Sequence, residues 1–139
     1  MLERVRLVGA VLVRDGRILL GRRSPWKQIC PGLWDVIGGH VEAQETYEDA
    51  LRRELREELR VSPTSFRMIG ERQLTTHAEI RIYRVDAWEG GEPRLNNDEH
   101  VSLAWFTIAE ACNFLIWPRK TSLPHSGDST GQLLQCASH

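Results

Sequence analysis

The sequence predicts an α/β fold in which helices cover a mixed β-sheet. Two short apolar stretches near the start of the chain are typical of strands, and a charge-rich helical segment follows them. Further alternating stretches and a short helix come after it. With 139 residues the chain is long enough for one domain with a substantial core. Its formal net charge of −1 favours neither a nucleic-acid polymer nor a membrane surface as partner.

The first two strands are predicted to form a hairpin. Residues Val5 to Val13 are apolar and β-branched, the segment 14–17 contains an Asp-Gly turn, and Ile18 to Gly21 returns as the second strand. Arg22 and Arg23 follow at the end of that strand. The stretch 5–13 is too short to span a bilayer, and we expect no signal peptide here.

The next element is a helix in the second half of the segment 38–61. Neither Gly nor Pro interrupts it, and Pro63 follows its end. Its apolar residues recur at spacings of three and four and form one stripe: Tyr47, Ala50, Leu51, Leu55 and Leu59. Before it, Gly38 and Gly39 close an apolar run. A strand, a glycine loop and an acidic helix are therefore expected to be contiguous.

Three glutamates of this helix, Glu54, Glu57 and Glu58, are expected to lie near one another at or beside the apolar stripe. An unpaired carboxylate forced towards a core costs several kcal/mol or becomes protonated. A hard divalent cation such as Mg²⁺, which prefers oxygen ligands, would offset that cost. For the helix alone, a solvated surface helix balanced by its arginines is the simpler interpretation. Those arginines are Arg52, Arg53, Arg56 and Arg60.

The preceding glycines change this interpretation, because together with the helix they resemble the signature of the Nudix hydrolases. That signature is a glycine, five residues, a glutamate, seven residues, and then Arg-Glu-U-X-Glu-Glu-X-Gly-U, where U is aliphatic. The matching residues are Gly39, Glu45, Arg53, Glu54, Leu55, Glu57, Glu58 and Val61. Chance agreement at all of them lies far below ~10⁻⁶ per starting position. One position differs, because Arg60 replaces a glycine that usually helps the helix to end.

The resemblance implies an α/β/α sandwich and hydrolysis of a nucleoside diphosphate linked to another group, X. It implies Mg²⁺, with Mn²⁺ as a possible substitute, held by Glu54, Glu57, Glu58 and the carbonyl of Gly38. Arg53 is expected to orient the glutamates through ion pairs. Glu45 is expected to support the start of the helix rather than to touch the metal.

The general base is assigned either to Glu57 or Glu58 or to Glu99, which resembles a loop acid found in some family members. For substrate binding, the resemblance points to Arg22 and Arg23 near the phosphates. Two further groups of residues are candidates for contacts to the base. Trp34 and Trp26 could stack on it, although a tryptophan is more often part of the core. Asp98 could form hydrogen bonds with its edge or could simply belong to a polar loop. His40 and His100 are interpreted as loop or surface histidines.

The short chain resembles the family members that cleave nucleoside triphosphates, and this resemblance implies hydrolysis of a (d)NTP, or of its oxidised purine form, to NMP and pyrophosphate. Cleavage of an NDP-sugar or a dinucleotide is the alternative within the same class. A different class, a catalytically weak nucleotide sensor, is kept as a hypothesis because of Arg60 and the atypical end of the chain. The complete set of signature glutamates argues against it, whereas a lost glutamate would have favoured it.

The later part of the chain predicts strands over Phe66 to Leu74, Ala78 to Trp88 and Val101 to Phe106. Thr107 is expected to cap a final helix from Ile108 to Phe114. We place the domain at 1–117 and an irregular tail at 118–139. The protein is expected to be either a monomer or a homodimer. The cysteines Cys30, Cys112 and Cys136 suggest neither a disulfide framework nor a zinc site, as expected for a cytoplasmic protein.

Overall fold

The structure, a computed structural model, describes residues 4–25, 32–96 and 100–112. Within these ranges four strands precede the main helix, and three further strands and a short helix follow it. The strands are β1 (Val5–Arg14), β2 (Arg17–Arg23), β3 (Trp34–Asp35), β4 (Ile37–His40), β5 (Ser62–Thr75), β6 (Ala78–Glu89) and β7 (His100–Thr107). The helices are α1 (Tyr47–Leu59) and α2 (Ile108–Cys112).

The strands form one mixed sheet with β1 near its middle. On one side β1 pairs in parallel with β6, from Val5↔Ala78 to Leu12↔Val85, and β6 pairs antiparallel with β5. On its other side β1 pairs antiparallel with β4 and, at the hairpin end, with β2. β2 in turn pairs with β3 and β7. The predicted mixed sheet is confirmed.

Helix α1 buries its apolar stripe against one face of this sheet. The five residues of the predicted stripe are all buried in a cluster with Val8, Ala10 and Leu12 of β1. Val11, between them in the chain, belongs to a second cluster with Ala111 of α2. Because side chains alternate across a strand, the two clusters lie on opposite faces of the sheet. The main helix and the short helix therefore enclose it from both sides.

Two local predictions are confirmed in detail. The hairpin turn has Asp15 at φ 53° and Gly16 at φ 74°, as a two-residue turn with positive φ at both positions requires. At the start of α2, the Thr107 hydroxyl accepts from the Glu110 backbone N–H at 3.2 Å. In return, the Glu110 carboxylate accepts from the Thr107 N–H at 2.8 Å, which completes a capping box.

Two predictions need correction. Gly38 and Gly39 do not form a loop, because they lie in β4 opposite Gly9 and Val8 of β1. Pairing with a strand far along the chain extends the backbone there, which local sequence does not reveal. Cys112 is disulfide-bonded, although the spacing of the cysteines did not suggest a disulfide; distance along the chain does not report distance in the fold. The predicted tail 118–139 lies outside the described residues.

Candidate active site

Helix α1 and strand β4 build the site together. Thr46 caps the helix by accepting from the Asp49 N–H at 3.0 Å, and the buried stripe fixes the rotation of the helix about its axis. That rotation directs Glu54 towards β4: a Cβ placed on Gly39 would lie 2.5 Å from Glu54 Oε1. The missing side chain at position 39 therefore provides the space that the Glu54 carboxylate occupies.

The neighbouring glycine serves a different purpose. A Cβ on Gly38 would lie 1.9 Å from the carbonyl oxygen of Val8 and 2.9 Å from Cα of Gly9. Only glycine permits β4 to approach β1 this closely. Gly38 therefore allows β4 to pair closely with β1, and Gly39 leaves room for the Glu54 carboxylate.

Arg53 connects the acidic residues of the site. Its guanidinium donates to Glu45 through Nε at 2.6 Å and Nη2 at 2.9 Å, and to the carbonyl of His40 at 2.8 Å. Its Nη1 lies 3.0 Å from Glu54 Oε1 and 3.2 Å from Glu57 Oε2. These are the ion pairs expected from the sequence. They bring Glu54 and Glu57 to the same nitrogen atom.

This network shifts the protonation equilibria of its members. The hydrogen bond from Arg53, aided by the backbone N–H of Glu42, lowers the pKa of Glu45 to about 2. The pKa of Arg53 is raised above its ordinary value, chiefly by the hydrogen bond to Glu45, while burial acts in the opposite direction. Both groups therefore remain charged at neutral pH, and the pair supports the turn before α1 as expected for Glu45.

The three glutamates of the helix have different environments. The side chain of Glu54 is 13% exposed and that of Glu57 is 58% exposed, whereas Glu58 is a buried residue at 2%. Residues 57 and 58 are about 100° apart on the helix. Glu58 therefore lies on the buried face of α1, whereas Glu57 lies on the exposed side. Within residues 4–25, 32–96 and 100–112, no three acidic, histidine or cysteine side chains are grouped closely enough to hold an ion.

The donor set nevertheless suits a hard cation. Glu54 and Glu57 offer carboxylate oxygens beside the same guanidinium, and the absent Cβ of Gly39 makes room for the Glu54 carboxylate. Mg²⁺ is commonly bound through one or two carboxylates, with phosphate oxygens and water as the remaining ligands. A complete cage of protein ligands is not required.

A cavity of about 300 Å³ opens beside the two glycines. This volume is at the lower end of the range for small-molecule sites. Its walls combine apolar side chains with a few polar ones. The lining residues are Leu7, Val8, Arg23, Asp35, Val36, Gly38, Gly39, His40, Ile80 and His100.

The predicted substrate-binding residues differ in their relation to this cavity. Arg23 lines it and pairs with Asp35 at 3.6 Å. Arg22 donates from Nε to the carbonyl of Gly32 at 3.1 Å and so supports the adjoining segment. Trp34 packs edge-on against Phe106, with ring centroids 5.0 Å apart. Asp98, Glu99 and Trp26 lie outside the described residues.

His100 is a further residue that the sequence interpretation placed wrongly. It is neither in a loop nor on the surface: it begins β7 and is 5% exposed. A histidine at the edge of a polar segment gives no local signal of burial, because strand pairing determines which way it points. The only hint in the sequence was the apolar strand that follows it directly.

Helix α1 ends at Leu59 although Arg60 stands where the family signature has a glycine. Arg60 adopts φ 59°, ψ 35°, the left-handed conformation that glycine usually provides, and its N–H bonds the carbonyl of Arg56. Asn96 lies across this helix end: its backbone N–H donates to the carbonyl of Glu58 and its side-chain amide donates to that of Glu57, both at 3.0 Å. The substitution therefore leaves α1 complete.

This arrangement can be compared with known proteins. Residues 3–125 match the NUDIX domain family. The chain belongs to the Nudix hydrolases. It is 36% identical over 121 residues to the CTP pyrophosphohydrolase of Escherichia coli strain K12, covering 84% of this chain and 86% of that protein. It is also 36% identical over 115 residues to a putative 8-oxo-dGTP diphosphatase 2 of Mycobacterium tuberculosis, covering 79% of this chain and 77% of that protein.

Solved structures give the same result. The MutT NUDIX hydrolase from Burkholderia pseudomallei superposes with a TM-score of 0.70 at 31% identity, covering 84% of this chain and 90% of that one. The fold and the enzyme class expected from the sequence are confirmed: this Nudix chain is a hydrolase with a mixed α/β fold. Among the described residues, neither helix has the length and apolar character needed to cross a bilayer.

Proposed function

We propose that this Nudix hydrolase cleaves a nucleoside triphosphate to the nucleoside monophosphate and pyrophosphate in a Mg²⁺-dependent reaction. One observation carries the proposal. Gly39 both lines the cavity of about 300 Å³ and adjoins the carboxylate of Glu54. A nucleoside in the cavity would therefore place its phosphate chain next to the acidic face of α1.

The acidic residues are assigned to the phosphate end of the substrate. Glu54, Glu57, Glu58 and the Gly38 carbonyl would hold Mg²⁺, or Mn²⁺ in its place. Bound there, the cation would neutralise phosphate charge and activate water for attack on phosphorus. Arg53 holds Glu54 and Glu57 in position through its hydrogen bonds. The water's proton is assigned to Glu57 or Glu58, or to Glu99, as general base.

The cavity is assigned to the nucleoside. Its apolar residues Leu7, Val36 and Ile80 can contact the faces of a base. Arg23, which the sequence placed near the phosphates, would instead provide polar contacts in the cavity together with Asp35. Arg22, Trp34 and Asp98 remain candidates for further substrate contacts. The relatives named for CTP and for 8-oxo-dGTP support triphosphates as the first class to test. NDP-sugars and dinucleotides, which carry a second bulky group, are the alternative class.

The test uses a panel of the common ribo- and deoxyribonucleoside triphosphates, 8-oxo-dGTP and two NDP-sugars. Phosphate release is measured with and without added inorganic pyrophosphatase, and the nucleotide products are separated by chromatography. We expect NMP together with phosphate that appears only when pyrophosphatase is present. Phosphate without pyrophosphatase would indicate removal of the terminal phosphate. Turnover confined to NDP-sugars would replace the proposal with its alternative.

Two variants connect turnover with the assigned residues. Glu54→Gln should lower kcat on the order of a hundredfold, because about 2.7 kcal/mol of metal-dependent transition-state stabilisation would be lost. Glu89→Gln, at the exposed end of β6, is the matched control and should retain full activity. Equal activity of the two variants would remove Glu54 from the site. Binding of nucleotides by a wild-type protein that turns over none of them would favour the sensor hypothesis.

A further inference from the structure

The β2–β7 ladder is irregular at its cavity end. Arg22 pairs with Ser102 but Arg23 pairs with His100, so Val101 is an extra residue on β7 and forms a β-bulge. In a regular ladder Val101 would stand opposite Arg23. The bulge shifts the alternation of side chains by one residue. As a result, His100 is 5% exposed and Val101 is 44% exposed.

This exchange is the reverse of what hydrophobicity alone would favour. Burying a valine is worth roughly 1.5 kcal/mol or more, whereas burying an imidazole removes polar atoms from water. Bulges are over-represented next to active sites, where they redirect a side chain. The inward direction of His100 therefore needs an explanation beyond packing.

Strand β2 is adapted to the same ring. A Cβ on Gly21 would lie 2.7 Å from Cδ2 of His100 and 3.0 Å from Cδ1 of Ile37. Any other residue at position 21 would displace the imidazole or force the strand to move. A bulge on one strand and a glycine on its neighbour together hold His100 in place.

His100 lines the cavity next to Arg23 and Asp35. The charges of those two residues offset each other, because they form an ion pair at 3.6 Å. This part of the wall therefore offers hydrogen-bonding groups with little net charge. The imidazole of His100 adds two ring nitrogens that can take part in hydrogen bonds. Such a wall is suited to the polar edge of a nucleobase rather than to a phosphate group.

We propose that His100 is a specificity-determining residue whose imidazole contacts the edge of the substrate's nucleobase. The bulge at Val101 and the glycine at position 21 hold the ring in the cavity for this contact. The proposal rests on the proposed function for its substrate class. It adds the residue by which the enzyme distinguishes one base from another.

The first experiment compares kcat and KM for CTP, UTP, ATP and GTP in wild type, His100→Gln and Gly21→Ala. In His100→Gln, we expect KM for the preferred nucleotide to rise about tenfold, as expected for one lost hydrogen bond. Its kcat should stay within about threefold, because the phosphate end of the site is untouched. The ratio between preferred and poor nucleotides should fall by a similar factor. Gly21→Ala should act in the same direction.

The matched control is His77→Gln, in the exposed turn between β5 and β6. It should leave KM and the base preference unchanged. If His100→Gln lowers kcat equally for all four nucleotides and leaves the preference intact, the proposal is overturned and His100 is a residue of structure or catalysis.

A second experiment needs neither turnover nor a variant. Wild-type protein with ¹⁵N-labelled histidine is titrated with each of the four nucleoside monophosphates and, separately, with pyrophosphate. We expect the ring signals of the buried histidine to shift with the preferred monophosphate and not with pyrophosphate. The proposal is overturned if the ring signals shift with pyrophosphate alone, or if they shift with none of the four monophosphates. If no triphosphate is hydrolysed, the proposed function fails, and this titration still decides on His100.

Discussion

Arg53 donates two hydrogen bonds to Glu45, from Nε at 2.6 Å and from Nη2 at 2.9 Å. This bidentate pair joins the middle of α1 to the turn that precedes it. The same guanidinium reaches Glu54 and Glu57 through Nη1. Glu45 therefore contributes to the acidic site indirectly, by fixing the orientation of the arginine on which the other two carboxylates converge.

The ion pair predicts a contribution to acid stability. The pKa of Glu45 falls from 4.5 to about 2 on folding, so the native state favours its charged form. That contribution is complete above pH 4.5 and is lost as the pH falls towards 2. Urea denaturation at several pH values should show that Glu45→Gln loses less stability than wild type across this window. Parallel curves for the two proteins would contradict the prediction.

Replacing Arg53 by lysine should impair catalysis although the charge is kept. Lysine cannot make the bidentate contact to Glu45 and also reach Glu54 and Glu57. We expect a 10- to 100-fold loss in kcat or in the apparent affinity for Mg²⁺. Arg52→Lys, on the exposed side of the same helix, is the control and should lose less than threefold. Measuring the initial rate as a function of Mg²⁺ concentration gives both quantities for each variant and distinguishes the two.

The two neighbouring glycines should respond differently to the same substitution. Gly38→Ala brings Cβ against the backbone carbonyl of Val8, which cannot move without disturbing β1, so the free energy of unfolding should fall by about 3 kcal/mol. Gly39→Ala meets the flexible end of Glu54. It should therefore cost less stability but displace the proposed metal ligand.

Thermal denaturation and steady-state kinetics of both alanine variants test this difference. Gly39→Ala should reduce kcat by at least tenfold while the melting temperature falls less than it does in Gly38→Ala. The reverse order, with the larger loss of stability at position 39, would show that the roles of the two glycines are wrongly assigned.

Arg60→Gly should stabilise the protein. A non-glycine residue in the left-handed region costs roughly 1–2 kcal/mol, and Arg60 occupies that region at φ 59°. Part of the gain is offset by losing the exposed hydrogen bond from Arg60 to Asn96 and by the greater freedom of glycine in the unfolded chain. A net gain of about 0.5 kcal/mol is expected in chemical denaturation. In contrast, Arg56→Gly, inside α1, should destabilise by about 1 kcal/mol.

Local features of the fold follow from short stretches of the sequence. The rotation of α1 follows from the spacing of Tyr47, Leu51 and Leu55, because one helical period determines which residues share a face. The hairpin at Asp15-Gly16 and the capping box at Thr107 and Glu110 depend on residues within four positions of each other. Such interactions are encoded in short stretches of sequence, and the structure contains each of them.

Contacts between distant segments could not be read in the same way. The parallel pairing of Val5–Leu12 with Ala78–Val85 and the strand pairing that places Gly38 and Gly39 in β4 join parts of the chain far apart in sequence. The same holds for the bulge that turns His100 into the cavity. Strand pairing is governed by packing and backbone hydrogen bonds across the whole sheet, and a one-residue shift reverses the direction of every side chain. The residue types of an acidic helix are thus present in the linear chain, whereas the walls of the cavity beside it exist only once the sheet has assembled.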